Sequence, residues 1–487
     1  MLTDCQFTAF ICLLAVKSLY YYSLKKLTVF KMLFNPKPLK DPINFRFPLQ
    51  CIWLKLNGSW PLKLNVTGEF EKYFRLLYST WAWYVVAMVG ITIGFQSAFL
   101  LKSFGNITVT TENGCTTFMG VLNFVRLLHL RLHQREFQQL LAQFVKDIWI
   151  TSSSHPTVER ACARNMRVFQ VISVLEASLI TMYCILPLVE LYMLTVNTEP
   201  DALESAPKPF PYKMLFPYNA NHGWRYALTY LFTAWAGVCV VTTLFAEDSL
   251  FGFFVSYTCG QFRILHTQID NIIPDSYAAT RAGYGTEAVY QRECIRRLDR
   301  IASKHCVLFN FVSRMEEFFS PILLVNFMIS SVLICMVGFQ LVAGNNMFIG
   351  EFVKFLVYIL SSLSQLFLLC WNGDQIIQNS LEMANHLYAC NWESGVKVAA
   401  TNANTNAVNN MRPDEDEKTK HSAPIVYYST SAAFRKKLQF MIMRSQRQTC
   451  ITAMKFSILS LNSFSGLISS SMSYFALLQS FYENEEN

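Results

Sequence analysis

Seven stretches of the chain stay apolar long enough to cross about 30 Å of hydrocarbon, a distance that takes ~20 residues of helix. They cover residues 76–101, 109–130, 168–194, 226–245, 318–342, 348–371 and 454–481. The second is the weakest, because Thr110, Thr111, Glu112 and Asn113 interrupt it. Helical patterning also continues outside these runs. Residues 287–317 read as a charged helix leading into the fifth run. After the sixth, Ile377, Leu381, Ala384 and Tyr388 recur at helical spacing and carry that helix onward. Leu438, Met441, Ile442 and Ser445 form a short amphipathic stripe ahead of the last run. Residues 394–431 break the pattern. They are rich in Asn, Thr and Ala, then acidic over Pro413-Asp414-Glu415-Asp416-Glu417, and are expected to be disordered.

The pattern divides the chain into four parts: a segment 1–75 ahead of the first span, spans one to six with their loops over 76–393, the insertion 394–431, and an amphipathic helix with the seventh span over 432–487. The class it implies is an all-α polytopic membrane protein with seven transmembrane helices and helical extensions beyond the membrane. Composition agrees. Of the 487 residues, 52% are hydrophobic and only 15% charged, against about 25% charged in a soluble chain.

Charge then sets the orientation. The formal net charge is +8, but the basic residues are sorted by loop, which is a topology signal and not a nucleic-acid one. All but five of the 41 Lys and Arg precede the first span, lie at the inner end of the second span and in the loop after it, or follow the fourth and sixth spans. The five exceptions are Lys102, Lys208, Lys213, Arg225 and Lys354. The positive-inside rule therefore predicts a cytoplasmic amino terminus and an extracellular carboxy terminus. A G-protein-coupled receptor has the opposite orientation. In this arrangement Asn106 of Asn106-Ile107-Thr108 is the one glycosylation sequon on the outer side, whereas those at Asn57 and Asn65 are cytoplasmic. The short apolar run 7–16 reads either as an uncleaved signal anchor or as an extension ahead of a start at Met32.

Catalytic signatures are missing. There is no phosphate-binding glycine loop, no HExxH and no GxSxG, so neither an enzyme nor a cofactor is expected. The 14 Cys are scattered without close pairs and read mostly as small hydrophobes, with Cys115 and Cys184 the pair placed where a disulfide could close. His129 and His133 stand four apart and could share a metal. The simpler reading groups them with Arg126, Arg131 and Arg135 in an interfacial basic cluster, so no metal is expected. Glu176 falls inside the third span and Glu190 near its outer end, where a carboxylate facing lipid costs ~2.5–3.5 kcal/mol; each reads equally as a functional candidate or as a carboxylate snorkelling or bonded within the bundle. Glu247 and Asp248 sit at the inner boundary of the fourth span, where a solvated structural role is expected.

The seventh span has two unlike faces. Ser463, Gly466, Ser470, Ser473, Leu477 and Phe481 form one stripe, and Phe464, Ile468, Met472 and Phe475 the other. A small, hydroxyl-rich stripe serves close helix packing in lipid. It serves equally well as the wall of a water-filled path, with Leu477 and Phe481 as a constriction that gates by dewetting. Periodicity does not separate the two.

Short motifs in order along the chain resemble the insect odorant receptor family. Leu54-Lys55-Leu56-Asn57-Gly58-Ser59-Trp60-Pro61-Leu62 is similar to its amino-terminal element, and Phe216-Pro217-Tyr218 with Ala246-Glu247-Asp248-Ser249-Leu250-Phe251 to its fourth-helix pattern. Trp371-Asn372-Gly373-Asp374-Gln375 through Ser380, then Leu387-Tyr388-Ala389-Cys390-Asn391-Trp392, resemble its sixth-helix signature. Met443-Arg444-Ser445-Gln446-Arg447 and Ser473-Tyr474-Phe475-Ala476-Leu477-Leu478 resemble the approach to its last helix and that helix itself. The resemblance implies an odorant-gated, non-selective cation channel subunit in the plasma membrane of an olfactory neuron dendrite. Its partner would be the odorant receptor co-receptor, in a heterotetramer whose seventh helices surround the pore. It places a cavity for small volatile ligands among helices two, three, four and six, where this chain offers Phe118, Met119, Met182, Tyr183, Tyr226, Tyr230 and Tyr358. It assigns the pore to Ser470, Ser473, Leu477 and Phe481. A gustatory receptor of the same superfamily is the nearest alternative, and the ending Ser473-Tyr474 with Gln479 favours the odorant branch. A metabotropic seven-helix receptor and a transporter are more distant alternatives, and no internal repeat supports the transporter.

Overall fold

The computed structural model describes residues 49–61, 69–149, 155–197, 207–221, 223–282, 286–343, 349–393, 396–399 and 425–486. The expectations for the apolar run 7–16 and the Asn65 sequon lie outside them, as do most of residues 394–431. Helices dominate: α1 (Leu49–Leu56), α2 (Glu69–Lys102), α3 (Ile107–Leu132), α4 (Gln134–Gln143, ending in a π-turn over Phe144–Trp149), α5 (Pro156–Asn197), α6 (Gly223–Asp270), α7 (Ile272–Ala282), α8 (Glu287–Ala343), α9 (Ile349–Ala389), α10 (Ala432–Ser445) and α11 (Leu461–Glu486). The seven spans of this polytopic membrane protein are α2, α3, α5, α6, α8, α9 and α11. Among the described residues, α2, α5, α6, α8 and α9 are long and apolar enough to cross a membrane on length and composition alone.

The other two spans, α3 and α11, carry more polar side chains. On α3, Thr111, Asn113, Thr117, Asn123 and Arg126 are buried. The Asn113 amide donates to the Gln96 carbonyl (3.1 Å), and the Gln340 amide donates to Thr108 O and Thr111 Oγ1 (2.6 Å each). Such bonds offset part of the penalty of placing a polar group in a dry interior. On α11 it is serines that lower the hydropathy. The other spans turn apolar side chains outward instead. On α5, Val168, Val171, Val174, Ile185, Val189, Tyr192, Met193 and Val196 are all exposed, an outer surface suited to lipid and not to water.

Contacts divide the chain into two units, residues 1–257, 313–374 and 450–487 in one and 258–312 and 375–449 in the other. In the first unit, the segment after α1 is pinned to the bundle. Gly58 has φ +74° and lies so close to Ala82 that a Cβ at 58 would overlap it (2.6 Å), so only glycine fits that turn. Asn57, read in the sequence as a sequon, is buried and donates to Thr243 Oγ1 (2.7 Å) and Thr242 Oγ1 (3.0 Å). Trp60 meets the Phe137 ring edge-on at 6.0 Å.

The last apolar run begins differently from its sequence reading. Residues 454–460 are not helical. β3 (Thr452–Ala453) pairs antiparallel with β4 (Ser457–Ile458), and the turn holds Met454 and Lys455 at φ 51° and 63°. The Met454 N–H donates to Ser320 Oγ (2.6 Å), beside the helix-interior Pro321. Helix α11 then docks through Phe464 against Phe367 (5.6 Å), Ser471 against Ser331 (3.3 Å) and Tyr482 against Phe339 (5.5 Å). Ser471 is buried at this contact, whereas Met472 of the bulky stripe is 59% exposed.

In the second unit, β1 (Val396–Ala399) pairs antiparallel with β2 (Ile425–Tyr428), so the edges of the insertion are paired strands. Helix α9 extends onward as the spacing predicted, but with a different buried face. Ile376, Met383, Leu387 and Cys390 are buried, whereas Leu381 is 37% and Tyr388 71% exposed. Charge pairs hold this unit: Arg297 to Asp275 (3.0 Å) and to Glu293 (2.9 Å), and Lys437 to Asp299 (2.7 Å). The Arg444 guanidinium lies 4.1 Å over the Phe309 ring. On α10, Leu438 and Ser445 of the amphipathic stripe are buried together with Phe434.

Candidate ligand-binding site

Five helices turn short side chains and tyrosines toward one another and leave a space of about 70 Å³. α3 contributes Thr116, Met119 and Gly120, and α5 contributes Leu179, Ile180 and Tyr183. α6 adds Gly237, Val240 and Val241, and α9 adds Tyr358. The first span also lines it, through Thr92, Ile93 and Gln96 of α2. Tyr212 closes the wall from the 207–221 segment. Its hydroxyl lies where a Cβ on residue 237 would sit, and Ile180 crowds the same point (2.7 Å). Glycine at 237 therefore makes room for the tyrosine.

A second, larger space of about 1000 Å³ lies between α2, α3, α5, α9 and residues 207–221. Its walls carry Glu112, Glu190, Lys208, Lys213, Glu351 and Lys354. Thr116, Tyr183 and Tyr212 line both spaces. The Tyr183 and Tyr212 rings, 5.6 Å apart, thus stand in the partition between a charged vestibule and an apolar chamber.

Of the seven side chains expected at the ligand site, Met119, Tyr183 and Tyr358 line the inner cavity, and Met182 lines the vestibule with Tyr183. Phe118 packs on the outside of the same buried cluster. Tyr226 and Tyr230 form a separate cluster with Leu191, Leu188 and Phe210. The sequence reading missed Thr92 and Gln96, although a polar pair four residues apart inside an apolar span was a visible signal. It also missed Tyr212, whose neighbours Phe210 and Pro211 mark that loop as one that packs.

One to two turns further along the same helices lies a charged layer. Arg126 follows the cavity residues of α3, Glu176 precedes those of α5, and Glu247 and Asp248 follow those of α6. Gln365 is seven residues beyond Tyr358 on α9, or about 10 Å at 1.5 Å per residue. Arg126 Nη1 binds Asp248 Oδ1 at 2.8 Å and lies 3.7 Å from Glu247. Gln365 donates to Asp248 Oδ2 at 2.6 Å. Arg126 is 1%, Glu247 2% and Asp248 8% exposed. These values correct two expectations. Arg126 is not part of an interfacial cluster, and Glu247 and Asp248 are not solvated. The helices meet there, and each charge is excluded from water by the others' helices. Glu176 is also buried, and its Oε2 has no hydrogen-bond partner among the described residues. Glu190 is exposed.

His129 and His133 stack at 4.4 Å, and no third His, Cys, Asp or Glu joins them among the described residues. Cys115 and Cys184 are both free thiols. Asn106 is exposed, and its side-chain oxygen caps α3 by accepting from the Val109 N–H at 3.1 Å. On α11, Ser470, Ser473, Leu477 and Phe481 are exposed, the last two by 57% and 56%.

Comparison with known proteins places this geometry. The family model described as 7tm Odorant receptor matches residues 106–397. Odorant receptor 13a of Drosophila melanogaster is 49% identical over 442 residues, covering 90% of this chain and 96% of that protein. Odorant receptor 22c of the same fly is 24% identical over 274 residues, 56% of this chain and 58% of that protein. Among solved structures, the insect olfactory receptor OR5 from Machilis hrabei superposes with a TM-score of 0.65 at 14% identity, covering 88% of this chain and 96% of that one. The same receptor in complex with eugenol gives the same TM-score.

Proposed function

The chain belongs to the insect odorant receptor family, and from that premise we propose that it is the odorant-sensing subunit of a ligand-gated, non-selective cation channel. The observation that carries this reading is the cavity lined by α2, α3, α5, α6 and α9, which adjoins the larger vestibule across Tyr183 and Tyr212. It is apolar over most of its wall, with a few hydroxyls and one amide, which suits a small volatile molecule. The solved relative with eugenol bound supports the same class of ligand here. Phe118, Met119, Met182, Tyr183, Tyr226, Tyr230 and Tyr358 remain the proposed ligand set, with Met119, Tyr183 and Tyr358 at its centre and Tyr226 and Tyr230 acting through packing.

The exposed face of α11 supports the channel half of the proposal. Its small and hydroxyl-bearing side chains point away from the chain's own bundle, so they await the same face of other subunits. Ser470 and Ser473 would line the path and Leu477 and Phe481 would narrow it. The partner is the odorant receptor co-receptor in a heterotetramer, and the site of action is the dendritic plasma membrane of an olfactory neuron. Ligand binding opens the path by contacting the open arrangement of the helices better than the closed one. Expression with the co-receptor in cells lacking other chemoreceptors, followed by whole-cell recording over a broad odorant panel, tests this. Currents of mixed sodium and potassium selectivity that require both chains are expected. Silence across the panel, with the receptor shown at the cell surface, would count against it.

A further inference from the structure

The tyrosines around the cavity differ in how their hydroxyls are used. Tyr226 donates to the Pro209 carbonyl (2.7 Å), Tyr230 to the Cys184 carbonyl and Tyr358 to the Cys115 carbonyl (2.9 Å). The Tyr183 hydroxyl is buried and has no hydrogen-bond partner among the described residues. An unmade bond at such a site costs stability, and this one lies in the partition between the two spaces. The group is therefore placed to bond whatever enters.

Lys354 adds to it. This ammonium is 7% exposed and lies 5.2 Å over the Tyr183 ring and 4.7 Å over the Phe355 ring. It forms a long ion pair with Glu351 (4.0 Å). A cation within about 6 Å of a ring centroid is attracted by the ring's face, so the ammonium is held beside the Tyr183 phenol. No carboxylate lines the inner cavity. An entering molecule thus meets a donor without a partner among the described residues, with an ammonium beside it and apolar walls around the rest.

We propose that Tyr183, in the partition, and Lys354, on its vestibule side, form the polar handle of the cavity. The handle selects neutral volatiles that carry one accepting oxygen, a carbonyl or a hydroxyl, over hydrocarbons and protonated amines of equal chain length. The proposal rests on the reading of the chain as an odorant receptor. A hydrocarbon leaves the buried hydroxyl unsatisfied, and a protonated amine adds a second cation beside Lys354. An accepting oxygen satisfies the donor and lies favourably in the field of the ammonium.

The test uses the full chain with its co-receptor and matched five-, seven- and nine-carbon series of alkane, primary alcohol, ketone and amine. Concentration–response curves for the wild type are expected to favour the alcohol or ketone by about tenfold or more, the worth of one well-made buried hydrogen bond. Tyr183→Phe keeps the ring and its packing and removes only the oxygen. It is expected to reduce that preference to within about threefold. Lys354→Met is expected to narrow the gap between amine and ketone. Surface labelling of each variant separates a lost handle from a lost protein. Equal wild-type sensitivity to alkane and ketone, or an undiminished preference in Tyr183→Phe, overturns the handle and leaves the receptor reading standing. A wild type at the surface that answers none of the compounds, nor a broad odorant panel, overturns that reading and the handle with it.

Discussion

Replacing Arg126 with methionine is expected to remove most of the receptor from the cell surface. Arg126 is the cation within reach of both Glu247 and Asp248, and all three are buried. A buried ion pair adds little over a well-packed apolar replacement, but removing one member strands the other charge without water or partner, at a cost of ~3–5 kcal/mol. Total stabilities of ~5–15 kcal/mol leave little margin for such a loss. The effect should therefore appear as retained, degraded protein. Rescue separates charge from packing. Arg126→Met combined with Glu247→Gln and Asp248→Asn removes the stranded charges and is expected to recover a substantial part of the surface signal. Surface biotinylation against total protein reads both. Equal loss in the single and triple variants would mean that the guanidinium is needed for its shape or its bonds rather than its charge.

The second large effect is expected at Gly373. A Cβ on this residue would collide with the Leu459 carbonyl and lie 2.7 Å from the Leu459 Cβ and Cγ. Backbone cannot rotate away as a side chain can, so Gly373→Ala must displace either α9 or the β3–β4 turn. Leu459 is buried and follows β4 directly, two residues before α11 begins. A shift there moves the base of the proposed pore helix. Odorant-evoked current is expected to fall by at least about tenfold, a loss of the size that overpacking costs of ~1–3 kcal/mol produce. Surface expression is expected to fall less. Gly94→Ala on α2, away from the proposed pore helix, is the companion control, since nothing lies within 4 Å of a Cβ there. A functional Gly373→Ala channel would mean that the contact does not fix α11.

What the sequence made legible follows from the length of each signal. Spans such as α2 and α5 are apolar over twenty or more residues, and the lipid-facing valines of α5 need no partner to be read. The charge asymmetry likewise sums over many residues, so no single position decides it. Faces and partners were harder. The onward stripe of α9 was assigned to Ile377, Leu381, Ala384 and Tyr388, but the packing uses Ile376, Met383 and Leu387. An apolar residue on a helix does not say which neighbour covers it. The start of the last run failed for a related reason. Residues 454–460 are apolar enough for helix, yet two consecutive residues with positive φ and a pairing two residues long terminate them differently.

The charged layer was legible as individual residues and not as a set. Arg126 and the pair Glu247–Asp248 are 122 residues apart or nearly so, and a salt bridge across that separation leaves no local pattern. Each residue alone suggests an interfacial position, the common fate of a charge near a span end. Tyr183 was named for its aromatic character. That its hydroxyl has no partner among the described residues, while those of Tyr226, Tyr230 and Tyr358 are bonded, is a property of the packed helices, which no spacing rule contains.

The direction in which the chain threads the bilayer separates an odorant-gated channel from a metabotropic receptor with the same number of spans. Epitope tags fused at each terminus, probed with antibody on intact and then permeabilised cells, read it directly. The account predicts staining of intact cells through the carboxy-terminal tag alone, with the amino-terminal tag appearing only after permeabilisation. Staining of intact cells through the amino-terminal tag, with the carboxy-terminal tag hidden, would contradict it.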